Sequence, residues 1–133
     1  MCSGANNGIF CFDGDGAALM RLGSFATTGF YSPKNLCHIV LDNGVHDSTG
    51  GQKTAAEAVN FIQLAHSLNY TNVIGVSSLA ELNDAIANWK TKQVLTFIYV
   101  RIKAGSPSTL GRPTVAPQDV AKRFSAFIKA HHD

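Results

Sequence analysis

The chain has 133 residues, of which 45% are hydrophobic and 15% are charged, and its formal net charge at pH 7 is +2. This composition is typical of one folded domain with a buried core and excludes a disordered tail. The basic residues are scattered, and no apolar run approaches the ~18 residues of a membrane span, so neither nucleic acid nor a membrane is an expected partner.

Strand-like and helix-like segments alternate along the chain. In order they are a strand at 9–13, a helix at 17–28, a strand at 37–42, a helix at 55–68, a strand at 72–76, a helix at 79–89, a strand at 93–100 and a helix at 117–131. The strands are short, apolar on both faces and bounded by Gly, Asn or Asp. This order predicts an α/β fold with an open, mainly parallel sheet of four to five strands and helices on both faces.

Local signals mark several of these boundaries. Gly29 is expected to end the first helix in the left-handed conformation, and Ser78 with Glu81 predicts a capping box. The segment 101–116 is rich in Gly, Pro, Ser and Thr, and it is predicted to be a surface loop that could cross onto a partner. The last helix is expected to bury its apolar positions, which are Val120, Phe124, Phe127 and Ile128.

The cysteines and the first histidine of the chain have the pattern of core residues. Cys11 and Cys37 lie in apolar runs, Cys2 lies near the start, and no CxxC pair is present. This pattern predicts a reducing, intracellular compartment. His38 is flanked by strand residues, so we expect a histidine whose hydrogen bonds are satisfied inside the core.

Two polar sequences follow the first two predicted strands. Gly14-Asp15-Gly16 opens a helix, and Asp42-Asn43-Gly44 opens a polar loop. Ligands of open parallel sheets bind beyond the carboxyl ends of the strands, so the two sequences can meet there. Glycines permit a close approach, the N–H groups of Gly16 and Ala17 favour a phosphate, and Asp15 and Asn43 offer oxygens to Mg²⁺. Both sequences are also common turn signals, and from the residues alone that alternative stays open.

The distance between the two sequences adds to this interpretation. GDG, 26 further residues and then Asn43 is similar to the motif that binds thiamine diphosphate (ThDP). GDGAALMRLGSFATTG, LDNGVHDSTGGQKT and LGRPTVAP extend the resemblance over nearly the whole chain, to the ThDP-dependent 2-oxo acid decarboxylases and above all to the phosphonopyruvate decarboxylases. The sulfopyruvate decarboxylases share DNG and STG but do not usually carry His-Asp before Ser-Thr-Gly.

The resemblance implies a set of cofactor ligands. Mg²⁺ would be held by the side chains of Asp15 and Asn43 and by the backbone carbonyl of Val45. The diphosphate would be lined by Gly14, Gly16 and Ala17, the last at a position where many ThDP enzymes have Ser or Thr. Asp15, at a strand end, is expected on the surface with little packing of its own.

The loop after Asn43 would face the reactive carbon of the cofactor. The resemblance therefore implies that the substrate's carboxylate or phosphonate is contacted by His46, Asp47, Ser48 and Thr49. An alternative stays open, in which the Ser, Thr and Asp side chains cap the turn into the following helix.

The implied reaction is the decarboxylation of a small 2-oxo acid, phosphonopyruvate to phosphonoacetaldehyde and CO₂, with sulfopyruvate as the alternative. Residues 1–133 would form one ThDP- and Mg²⁺-binding domain, the C-terminal domain of a larger enzyme whose N-terminal part is missing. A pyrimidine-binding domain of the same enzyme or a second subunit would complete a cytoplasmic homo- or hetero-oligomer, and the isolated chain is expected to be inactive. A non-catalytic ThDP-binding module and a truncated fragment stay open as alternatives.

Overall fold

A computed structural model describes residues 8–105, 107, 109–111 and 113–130 of the chain. Strands and helices alternate through most of it. In chain order the elements are β1 (Ile9–Gly14), α1 (Asp15–Met20), α2 (Leu22–Tyr31), β2 (Leu36–Asp42), β3 (Val45–His46), β4 (Gln52–Lys53), a 3₁₀ turn (Ala56–Ala58), α3 (Phe61–Ser67), β5 (Asn72–Val76), α4 (Leu79–Lys92), β6 (Thr96–Arg101) and α5 (Pro117–Ala130).

The main sheet has four strands in the order β1-β2-β6-β5, and every neighbouring pair is parallel. β1 and β2 lie side by side with Gly14 opposite Leu41. The two polar sequences at the ends of these strands therefore leave the sheet next to each other, at the carboxyl end of the strands. The predicted open parallel sheet is confirmed.

Each face of the sheet carries its own hydrophobic core. Successive residues of β2 point to opposite faces, so Val40 packs with residues of α1, α2 and α3, such as Phe25 and Phe61. Its neighbour Ile39 packs on the other face with Ala85 and Trp89 of α4. Helices therefore cover both faces, as the apolar strands predicted.

Two predicted helices are interrupted. The segment 17–28 is part of two helices that meet at Arg21, whose φ of −128° and ψ of 36° break the helical path. Gly29 lies inside α2, and the left-handed residue at its end is Ser32. A Cβ on Gly29 would lie 1.6 Å from the carbonyl oxygen of Leu68, so this glycine permits close packing and does not cap the helix. The predicted helix 55–68 consists of the 3₁₀ turn and α3.

The end of α4 differs from the prediction, and its start agrees with it in part. Gln93 closes the helix in the left-handed conformation, so the helix is longer than predicted and β6 begins at Thr96. Ser78 caps the helix by accepting a hydrogen bond from the Glu81 amide at 3.2 Å. The Glu81 carboxylate accepts from the amide of Ser77 at 2.7 Å, and this hydrogen bond lowers the pKa of Glu81.

The predicted burial of the last helix is wrong. No residue of α5 within the described chain is buried, and the residues Val120, Phe124 and Phe127 are 51%, 63% and 53% exposed. The apolar stripe is real, but its large side chains remain exposed in the described chain. The end of the predicted helix, at residue 131, lies outside the described residues. No helix in the described part of the chain is long and apolar enough to cross a membrane.

Candidate cofactor site

The carboxyl ends of β1 and β2 border a cleft of about 390 Å³. Of the residues predicted to form the site, all except Thr49 line this cleft, namely Gly14, Asp15, Gly16, Ala17, Asn43, Val45, His46, Asp47 and Ser48. The apolar part of its wall comes from Phe12, Met20, Leu41 and Ile102. The sheet topology therefore brings the two polar sequences to one place.

Asp15 is the buried acid of this cleft. It begins α1 with only 1% of its surface exposed, so the expectation of a surface aspartate is wrong. The Thr54 hydroxyl, 39 residues away in sequence, donates a hydrogen bond to its carboxylate. Thr54 follows β4, and its amide donates to the carbonyl of Gly44 at 2.9 Å. The loop after β2 thus folds back over the start of α1 and covers Asp15.

The turn after β2 is held by two consecutive side chains. Asp42 accepts from the amide of Gly44 at 2.9 Å, and Asn43 Oδ1 accepts from the amide of Val45 at 3.1 Å. Gly44 has a φ of +72°, a conformation that glycine adopts without strain. The amide nitrogen of Asn43 donates to Asp47 at 2.9 Å. Both ends of the Asn43 amide are therefore engaged, which fixes its orientation.

Asp42 is completely buried and has three hydrogen-bond donors around it. Besides Gly44, the Tyr99 hydroxyl donates to it at 2.5 Å and Arg101 donates at 3.4 Å. Burial raises the pKa of Tyr99, and the hydrogen bond to Asp42 adds to this effect. The pKa of Arg101 is also raised, first by its hydrogen bond to Tyr99 and then by the charge of Asp42. This network joins the carboxyl ends of β2 and β6.

The hairpin of β3 and β4 places Val45 and His46. Val45 lies opposite Lys53 in this hairpin, and the Thr54 amide donates its hydrogen bond to the Gly44 carbonyl, one residue beyond this pair. In an antiparallel ladder this pattern makes Val45 and Lys53 a non-hydrogen-bonded pair. The Val45 carbonyl therefore points away from β4. The ring of His46 lies against Gly16, where a Cβ would come within 2.4 Å of its Cε1 atom. Only a residue without a side chain fits beneath this ring in its present position.

Ser48 and Thr49 occupy the turn of this hairpin and are exposed. The Thr49 amide donates to the His46 carbonyl at 3.1 Å, and the Thr49 hydroxyl lies 3.3 Å from Oε1 of Gln52. Thr49 therefore closes the hairpin turn away from the cleft, whereas Ser48 lies at the cleft wall.

His38 lies beside the site as a satisfied core residue, as its position predicted. It is 5% exposed, its Nε2 atom lies 2.9 Å from Asp13 and its Nδ1 atom lies 3.0 Å from the Tyr70 hydroxyl. Burial lowers the pKa of His38, and the hydrogen bond to Asp13 works against this effect. Cys37 is buried and Cys11 is half-buried, while Cys2 lies outside the described residues.

Residues 3–100 match the family described as the C-terminal TPP-binding domain of thiamine pyrophosphate enzymes, thiamine pyrophosphate being another name for ThDP. The chain belongs to this family. It is 50% identical over 120 residues to a phosphonopyruvate decarboxylase of Streptomyces viridochromogenes, an alignment that covers 90% of this chain and 30% of that protein. It is 35% identical over 126 residues to the sulfopyruvate decarboxylase subunit beta of Methanococcus maripaludis, covering 93% of this chain and 66% of that protein.

A transketolase from Campylobacter jejuni has the same fold. Its crystal structure matches 75% of this chain and 16% of its own length with a TM-score of 0.54, at 16% sequence identity. The ThDP-binding fold predicted from the sequence is therefore confirmed. The chain spans about a third of the length of the phosphonopyruvate decarboxylases that it matches.

Two residues whose hydroxyls hydrogen-bond to Asp15 and Asp42 carry no local sequence signal for these contacts. Thr54 lies between a lysine and an alanine with no pattern that marks it, and Tyr99 is one aromatic residue in an apolar strand. Their contacts with Asp15 and Asp42 span 39 and 57 residues. Contacts between residues so far apart in the sequence form only in the tertiary fold, so the local spacing of residues does not predict them.

Proposed function

We propose that the cleft holds the diphosphate of ThDP together with Mg²⁺, and that the whole enzyme decarboxylates a small 2-oxo acid. The observation that carries this proposal is that Asp15 and Asn43 line one cleft in a chain of the TPP-binding family. Mg²⁺ takes one or two oxygens from protein side chains and completes its octahedron with phosphate oxygens and water. Asp15, Asn43 Oδ1 and the Val45 carbonyl would supply such oxygens.

The start of α1 would receive the diphosphate. Gly14 precedes the helix and has no side chain with which to cap it, so the first-turn amides of Gly16 and Ala17 have no capping partner. Amides at a helix start favour phosphate oxygens. Ala17 adds no hydroxyl, so the protein would contact the diphosphate here through its backbone alone.

Bound ThDP would supply the electron sink that accepts the electron pair left by CO₂. The contribution of this chain would be to orient the cofactor and to hold the substrate. His46 and Ser48 line the cleft and are candidates for contacting the substrate's carboxylate or phosphonate. Asp47 would act in the same loop through Asn43, and Thr49 would shape the hairpin turn.

We propose phosphonopyruvate as the substrate, because the phosphonopyruvate decarboxylase relative is 50% identical to this chain. Sulfopyruvate is the second candidate, and the 35% identity to a sulfopyruvate decarboxylase subunit supports it. The pyrimidine of ThDP would be held by a further unit, in the same polypeptide or in a second subunit. An oligomer and a cytoplasmic location remain predictions. In the assembled enzyme, the ratio of kcat/KM for the two substrates decides between them.

Calorimetry of ThDP binding tests the cofactor site. We expect the chain to bind ThDP with Mg²⁺ and to lose this binding when EDTA removes the metal. Asp15→Asn keeps the shape of the side chain and an acceptor for Thr54, but it loses the charge that holds a divalent ion. This variant should lose the metal-dependent binding. Asp84→Asn, on the exposed surface of α4, removes a charge of the same type and should bind as the wild type does. Equal binding by Asp15→Asn and the wild type would contradict the proposal.

A further inference from the structure

The carboxylate of Asp47 joins a residue of the cleft wall, Asn43, to the segment after β6. Its Oδ2 atom accepts from the side-chain amide of Asn43 and from the backbone amide of Gly105, both at 2.9 Å. Gly105 lies 58 residues further along the chain, in the segment after β6. One exposed side chain thus ties the loop that carries Asn43 to the beginning of the 101–116 segment.

The hydrogen bond from Asn43 has a consequence for the metal site. An asparagine amide has an NH₂ end, which only donates, and an oxygen with two lone pairs. The NH₂ end is bound by Asp47, and the oxygen accepts from Val45 and keeps one lone pair. In the flipped orientation the oxygen would face the Asp47 carboxylate, and the NH₂ end would face the Val45 amide. Asp47 therefore stabilises the orientation in which Asn43 can offer an oxygen to a cation.

The charge of Asp47 also bears on its role. A carboxylate repels the carboxylate and the phosphonate of a 2-oxo acid, whereas both of its observed partners are N–H donors. We infer that Asp47 is a positioning residue, which orients Asn43 for the metal and fixes the segment at Gly105 beside the cleft. This inference rests on the proposed function, in which Asn43 is a ligand of Mg²⁺.

Two substitutions at this position separate orientation from charge. Asp47→Ala removes the acceptor, and Asp47→Asn keeps an oxygen that can accept both hydrogen bonds while it loses the charge. Partners behind a metal ligand typically contribute 10- to 100-fold in metal affinity. We expect Asp47→Ala to bind Mg²⁺ about 10- to 100-fold more weakly at saturating ThDP. Asp47→Asn should stay within a few-fold of the wild type, and Asp84→Asn should be unchanged.

Hydrogen–deuterium exchange at the Gly105 amide provides a readout that needs neither metal nor cofactor. Exchange there should be faster in Asp47→Ala than in the wild type, while the melting temperature stays close to the wild-type value. Unchanged exchange in Asp47→Ala would overturn the link to the segment after β6.

The outcomes of the binding measurement are distinct. If Asp47→Asn is as weak as Asp47→Ala, charge matters and orientation does not, which overturns the positioning role. If both variants bind Mg²⁺ as the wild type does, while Asp15→Asn does not, the inference is wrong and the proposed function stands. If the wild-type chain itself binds no Mg²⁺ with ThDP, the proposed function fails and the role of Asp47 at the metal fails with it.

Discussion

The close contact between Gly16 and His46 predicts that the effect of Gly16→Ala on stability depends on whether the His46 ring is present. A Cβ at position 16 would lie 2.4 Å from Cε1 and 2.6 Å from Nδ1 of the His46 ring. Carbon atoms normally approach to about 3.5–4.0 Å, so in Gly16→Ala the ring must withdraw by about 1 Å or more. Overpacking of this kind costs about 1–3 kcal/mol. The third neighbour, Cγ2 of Thr54 at 3.3 Å, needs only a small adjustment.

An opposing effect comes from the backbone. Gly16 is helical, and alanine is more favourable than glycine inside a helix by up to about 1 kcal/mol. In the wild-type background the two effects leave Gly16→Ala neutral or destabilising by up to about 3 kcal/mol. In a His46→Ala background the ring is absent, so the same change should stabilise the chain by up to about 1 kcal/mol. The coupling free energy between the two positions is then about 1–3 kcal/mol.

Urea unfolding of the four chains measures this coupling. Wild type, Gly16→Ala, His46→Ala and the double variant should unfold with the same dependence on urea, so that the midpoints report free energies of unfolding. The reasoning would be refuted if Gly16→Ala changed the free energy of unfolding equally in both backgrounds. That result would mean that His46 does not occupy the space above Gly16.

Two further predictions concern packing and thiol chemistry. Gly29→Ala should lose about 3 kcal/mol or more in urea unfolding, because its Cβ would overlap the Leu68 carbonyl, which is backbone. Gly23→Ala in the same helix has open space and should be neutral or stabilising by up to about 1 kcal/mol; similar small effects at both positions would contradict this explanation. In a Cys2→Ser background, a thiol reagent should modify Cys11 before Cys37 in the folded chain, since burial raises the pKa of Cys37 to about 12. Reaction of both thiols at one rate without unfolding would show that Cys37 is accessible.

The sheet and the position of the cleft could be predicted because both depend on local sequence. Apolar strands such as 37–42 carry their pattern in consecutive residues, and strand ends in a parallel sheet meet along one edge. Gly14 and Asp15 therefore indicate from the sequence where the cleft lies. The burial of Asp15 could not be predicted, because Asp15 is covered by the loop after β2, which folds back so that Thr54 hydrogen-bonds to it.

The last helix shows a different limit. The spacing of Val120, Phe124 and Phe127 defines an apolar stripe on a helix, and such a stripe normally packs against the core of its own domain. In the described chain this stripe remains largely exposed. Periodicity identifies which face of a helix is apolar, but it contains no information about which surface covers that face.

Asp42 holds the turn after β2 in place, a role that its turn-like sequence does not reveal. In the sequence, Asp-Asn-Gly is typical of a turn, and nothing distinguishes Asp42 from an exposed residue. In the fold its carboxylate is fully buried, and a buried charge is unfavourable unless donors compensate for it. Gly44, Tyr99 and Arg101 provide those donors, from the turn itself and from β6. The position of Asn43 in the cleft therefore depends on residues more than 50 positions away, since they hold the turn that carries it.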